Sequence, residues 1–163
     1  ARGELEITDA IQFLVEAGRH VRASVVNGWW KDTGSKADLL AAQELVIAEM
    51  AHSIDGEVAG GRIEGAVHVG RGSRLVDCEV TGPVVIGDGT QLTRVRIGPQ
   101  TSIGHGCRLA DAAVEESIVM DGAEVLGWQI HRSLLGRGAR LHGPAPSSFV
   151  EVTLGERSEI VGE

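Results

Sequence analysis

The sequence predicts a mainly β fold: a parallel β-helix of about six stacked coils over residues 56–163, preceded by a small α/β segment. Two observations lead there. The first is a recurring tetrad. Val69-Gly-Arg-Gly, Ile86-Gly-Asp-Gly, Ile103-Gly-His-Gly and Leu135-Gly-Arg-Gly share it, with Val119-Met-Asp-Gly and Leu154-Gly-Glu-Arg as looser copies. The first three copies are 17 residues apart. The second observation is that two more aliphatic ladders keep the same period. One is Ile63, Val80, Ile97 and Val114; the other is Leu75, Leu92, Leu109 and, one residue short, Val125.

Successive aliphatics are thus six, six and five residues apart. A triangular coil accounts for this, with a short strand on each face and a turn at each corner. One inward aliphatic per face stacks on its counterpart roughly 4.8 Å away in the next coil. The glycine after the aliphatic is expected to serve a turn conformation that a Cβ disfavours. Coils bury this core only by stacking. The run Gly143-Pro144-Ala145-Pro146 predicts a loop projecting from the last, irregular coil. Composition fits a thin layered core. There are 23 glycines, three Trp, two Phe and no Tyr, whereas compact mixed cores draw much of their buried area from rings.

Residues 1–55 read differently. Thr8 is placed to cap a helix with Ile11, Leu14 and Val15 on one face, and Gly18 to end it. Val21–Val26 reads as a strand leading to the Asn27-Gly28 turn. Ser35 and Asp38 form a near capping box before a helix through about Ala51, with Leu39, Val46 and Met50 as its apolar stripe. Two helices and a strand are too little to bury themselves, so this stretch reads as the tail of a larger domain. The chain opens on Ala1 without Met and is expected to be a fragment.

The formal net charge of −8 argues against nucleic acid or an anionic membrane as the main partner. There is no long apolar span and no signal-peptide pattern. Cys78 and Cys107 are too few for a disulfide scaffold and read as buried free thiols of a cytoplasmic protein.

The segments Arg2-Gly-Glu-Leu-Glu-Ile-Thr-Asp9 and Gly28-Trp-Trp-Lys-Asp-Thr-Gly34 resemble two signatures of the sugar-1-phosphate nucleotidyltransferases. The likeness is to the long-form glucose-1-phosphate thymidylyltransferases, in which a hexapeptide β-helix follows the catalytic domain. It covers nearly the whole chain and implies that the β-helix is left-handed, against the usual right-handed crossover. It divides the chain into 1–34, the end of the catalytic domain; 35–55, a linking helix; and 56–163, the left-handed β-helix.

The family reaction joins a nucleoside triphosphate to a sugar 1-phosphate with release of pyrophosphate, helped by Mg²⁺. By resemblance Asp32 is a Mg²⁺ ligand, suiting a hard cation that takes one or two protein carboxylates. Arg2 resembles the family arginine that steadies a phosphate, and Glu4 is placed on the substrate side. Without the resemblance, Asp32 reads as a turn residue beside Gly34, and Glu4 and Glu6 as solvated or structural carboxylates. Trp29 and Trp30 read as core packing. The family's Gly-rich triphosphate loop, another metal-binding aspartate and its substrate-binding Lys and Glu have no counterpart here. No catalytic residue is therefore assigned, and this stretch alone is expected to be inactive.

The competing reading is an acetyl-coenzyme A-dependent acyltransferase, alone or as a second activity, with His68, His105, His131 or His142 as surface base. None has a carboxylate partner legible in the sequence. A third reading makes the β-helix a means of homo-oligomer assembly or regulation.

Overall fold

In the computed structural model, residues 6–143 and 147–162 are described, so Arg2 and Glu4 lie outside the described residues, as do the prolines of the 143–146 loop. The chain divides into two compact units, Ala1–Lys31 and Asp32–Glu163.

The first unit contains helix α1 (Ile7–Glu16), which buries no residue. Glu6, not Thr8, takes the N-cap position, with no side-chain cap. The Thr8 hydroxyl, inside the first turn, donates to the Glu6 carboxylate at 3.4 Å. Gly18 follows the helix at φ +66°, the left-handed exit expected of it. The predicted strand over Val21–Val26 does not form. A strand is held by a ladder partner, and among the described residues this segment has none.

The second unit opens with helix α2 (Lys36–Ile47). The Ser35 side chain accepts from the Asp38 N–H at 3.2 Å and donates to the Asp38 carboxylate at 2.6 Å, so Ser35 is the N-cap that the sequence indicates. The buried positions are Leu40 and Ile47, one residue on from the expected Leu39 and Val46. Val46 is 51% exposed. Gln43 on the same side donates to the Gln100 carbonyl at 2.7 Å and hydrogen-bonds Ser102 Oγ. The helix is oriented by these polar anchors as much as by its aliphatics.

The rest is a parallel β-solenoid of about six turns, consistent with the left-handed β-helix. All three ladders appear in register. Ile54, Val69, Ile86, Ile103, Val119, Leu135 and Leu154 stack through a seven-stranded sheet. Val58, Leu75, Leu92, Leu109, Val125, Leu141 and Ile160 form a second face. Ile63, Val80, Ile97, Val114 and Ile130 form the third. These are here called the Val69, Leu75 and Val80 faces. The last two join into one ten-stranded sheet because the strands Glu57–Glu64 and Arg74–Thr81 run unbroken around their shared corner.

The corners correct one expectation about glycine. The glycine directly after the aliphatic serves close approach, not a left-handed turn. A Cβ on Gly104 would lie 2.6 Å from the Asp121 backbone nitrogen, and one on Gly136 would lie 2.6 Å from the Gly155 carbonyl carbon. The next coil's backbone passes where that Cβ would sit. The second glycine supplies the turn: Gly72, Gly89, Gly106 and Gly122 have φ between +62° and +70°. At the corner between the Leu75 and Val80 faces, Asp77, Arg94 and Asp111 adopt φ of +51° to +52° without being glycine.

Polar side chains inside the first corner are satisfied from coil to coil. Buried Ser73 donates to the Gly87 carbonyl and accepts from Thr90 N–H; Thr90 repeats this with Gly104 and Cys107. Such pairing is what makes a buried hydroxyl tolerable. No helix among the described residues is long and apolar enough to cross a membrane.

Candidate functional site

Asp32 sits in an irregular segment ahead of the Ser35 cap, and its side chain is exposed. Gly28, four residues before it, has φ +103°, a conformation that favours glycine. Trp29 and Trp30 are 53% and 75% exposed, against the expectation of core packing. Among the described residues of the unit that holds them, none is buried, so no core receives the two indoles.

A divalent cation fits Asp32 only as one contributor. Among the described residues no group of three or more His, Cys, Asp or Glu could hold a metal ion. A single exposed carboxylate suits Mg²⁺ shared with phosphate oxygens and water, the usual arrangement for this ion. It does not suit a closed structural site.

The four histidines of the competing reading are occupied in ways that the sequence does not reveal. His105 Nδ1 accepts from the Asp88 N–H at 2.9 Å, while the His105 backbone N–H donates to Asp121 Oδ1 at 2.9 Å. With Nδ1 accepting, the neutral ring carries its proton on the exposed Nε2 and offers no lone pair there. His68 Nδ1 is 2.6 Å from Ser53 Oγ. His131 packs edge-on against Phe149, with centroids 6.1 Å apart.

His142 has carboxylate partners that the sequence does not make legible. Its Nε2 is 3.2 Å from Glu124 and its Nδ1 is 3.9 Å from Glu159, partners 18 and 17 residues away in sequence. Of the two, the Nε2 contact to Glu124 is at hydrogen-bond distance.

A groove of about 370 Å³ runs along the Val69 face beside the end of α2. It gathers Met50, His68, Ser102, His105, Ile118 and Met120. Met50 and Met120, the two methionines of the chain, both line it. The Cys78 and Cys107 thiols are both buried, and burial pushes each thiol above its ordinary range. They are therefore poor nucleophiles where they stand.

No family model matches the chain. It is 41% identical over 160 residues to a glucose-1-phosphate thymidylyltransferase of Streptomyces griseus, an alignment covering 96% of this chain and 45% of that protein. Identity to the enzyme of the same name from Streptomyces antibioticus is 38%, covering 98% of this chain and 46% of the relative. A low-salt glycan biosynthesis nucleotidyltransferase of Haloferax volcanii is 37% identical over the same shares, 98% and 46%. The chain thus spans about half the length of the curated relatives it matches.

Proposed function

We infer that this chain, a homologue of the glucose-1-phosphate thymidylyltransferases along nearly all of its length, works as part of an enzyme of that class. The enzyme would form a nucleoside diphosphate sugar and pyrophosphate from a nucleoside triphosphate and a sugar 1-phosphate. The observation that carries this reading is the alignment through both the segment around Asp32 and the whole solenoid. For substrates, dTTP and glucose 1-phosphate are the pair that the relatives' names favour.

The chemistry is an in-line displacement at phosphorus, governed by positioning and charge compensation. Asp32 would contribute one oxygen to a Mg²⁺ ion, whose charge would offset that building up on the phosphoryl oxygens. Arg2 would hold a phosphate through its guanidinium fork, and Glu4 would face the substrate. Since the matched half carries one candidate ligand and no triphosphate loop, the chain alone would not turn over. The solenoid would serve assembly or regulation. Acetyl transfer is the weaker reading, because the His105 Nδ1 lone pair is taken up by the Asp88 N–H.

The test is pyrophosphate release by the full-length protein from dTTP and glucose 1-phosphate with Mg²⁺. Asp32→Asn is expected to lower turnover by about two orders of magnitude and to leave the circular dichroism spectrum unchanged. Unaltered turnover would remove Asp32 from the site. Absence of release with every nucleoside triphosphate would remove the reading.

A further inference from the structure

Two faces of the solenoid are already engaged. The Val69 face carries α2, bonded through Gln43 to Gln100 and Ser102. The Val80 face meets Phe149, whose ring lies 5.5 Å from the Arg96 guanidinium carbon and 6.1 Å from His131. Among the described residues of the unit Asp32–Glu163, the printed ion pairs of the Leu75 face all stay within that face.

The outward side chains of that face form two columns, fixed by register. One reads Glu57, Arg74, Gln91, Arg108, Glu124, Arg140, Glu159, giving signs −, +, 0, +, −, +, − from first coil to last. The other reads Ala59, Val76, Thr93, Ala110, Leu126, His142, Val161, mostly small or apolar. Both rise by roughly 4.8 Å per coil. Within the chain Arg74 reaches Glu57 at 3.9 Å, Arg140 reaches Glu124 at 3.5 Å, and His142 lies 3.2 Å from Glu124 and 3.9 Å from Glu159, so the charge left without a carboxylate partner among the described residues is Arg108.

We propose that the Leu75 face is the contact surface for a second copy of this chain, related by a two-fold axis that runs along the strands midway between the coils of Leu109 and Val125. Such an axis sets the solenoids antiparallel and makes each column face itself in reverse order. Arg108 then meets the partner's Glu124, Arg74 the partner's Glu159, and Gln91 the partner's Arg140. In the apolar column Ala110 meets the partner's Leu126 and Val76 the partner's Val161. Symmetry doubles each contact. Moving the axis onto a coil reverses the outcome. Centred on Arg108, it opposes Arg108 to itself and Arg74 to the partner's Arg140, both repulsive. A half-turn about the solenoid axis would instead bury the charged column against the apolar one, leaving charges unpaired.

The inference rests only on the assembly role proposed for the solenoid and is independent of nucleotidyl transfer. Light scattering and sedimentation equilibrium on the protein test it. The expected mass includes a two-fold association. Arg108→Glu sets two glutamates against the partner's Glu124 and should raise the dissociation constant about tenfold or more. Arg74→Glu should weaken association, and Arg74→Glu with Glu159→Arg should restore it. Circular dichroism melting confirms that each exposed substitution leaves the fold intact. A monomeric wild type would sink both this interface and the assembly role. An oligomer that ignores Arg108→Glu, or a three-fold one, would sink this interface alone.

Discussion

Arg94 forks onto Asp111 of the next coil, with Nε and Nη2 2.7 and 2.8 Å from the two carboxylate oxygens. Both residues turn the same corner at φ of +52° and +51°, so the pair bridges successive copies of one strained position. It stands where the other corners of each coil often place glycine.

The first prediction concerns acid. The Arg94 hydrogen bond holds the Asp111 carboxyl below its ordinary range, and the same contact raises Arg94. A depressed carboxylate contributes stability above its unfolded value, near about 3.9, and loses it as pH falls through the folded value. Arg94 stays protonated across that window, so the change belongs to Asp111. Titration followed by carbon NMR should place the Asp111 midpoint below that of an ordinary aspartate, and Arg94→Gln should move it upward. Both groups are exposed, so the accompanying shift in melting temperature should be small. An Asp111 midpoint insensitive to Arg94→Gln would break the assignment.

The second prediction concerns the thiols. Cys107 donates to the Met120 carbonyl at 3.2 Å and Cys78 to the Val76 carbonyl at 3.3 Å. Desolvation is the largest cause raising each. Since the thiolate is the reactive form, a disulfide reagent at pH 8 should titrate two thiols in denaturant and essentially none in the native protein. Rapid native labelling of either residue would show that the coil opens there.

The three ladders were legible because a coil repeat of 16 to 17 residues puts the same residue class at the same place several times over. One aliphatic–Gly pair says little, whereas five in register leave little freedom. What was not legible depends on partners remote in sequence. Val21–Val26 has strand-like residues and no neighbour. Leu40 and Ile47, not Leu39 and Val46, face inward because Gln43 is anchored to Gln100 and Ser102. The His142 carboxylates are brought beside it by coil stacking alone. For the candidate site, Asp32 was found through its motif and not through any local pattern. Among the described residues no ligand cluster surrounds it that could have revealed it.

The third prediction separates the two glycine roles within one turn. At Gly106 φ is +62° and nothing lies within 4 Å of an added Cβ, whereas at Gly104 the Cβ would meet Asp121 Oδ1 at 2.5 Å and the Asp121 nitrogen at 2.6 Å. Gly106→Ala should therefore cost only the left-handed penalty, about 1–2 kcal/mol, and Gly106→Asn should cost less because asparagine tolerates that region. Gly104→Ala must push apart two coils and loosen the His105 N–H bond to Asp121. Its cost should exceed that of Gly106→Ala, and no replacement at residue 104 should recover it. Denaturant melts of the three variants decide the matter. Equal losses for the two alanine variants, or a Gly106→Asn variant no better than Gly106→Ala, would mean that conformation and close approach are not divided between the glycines in this way.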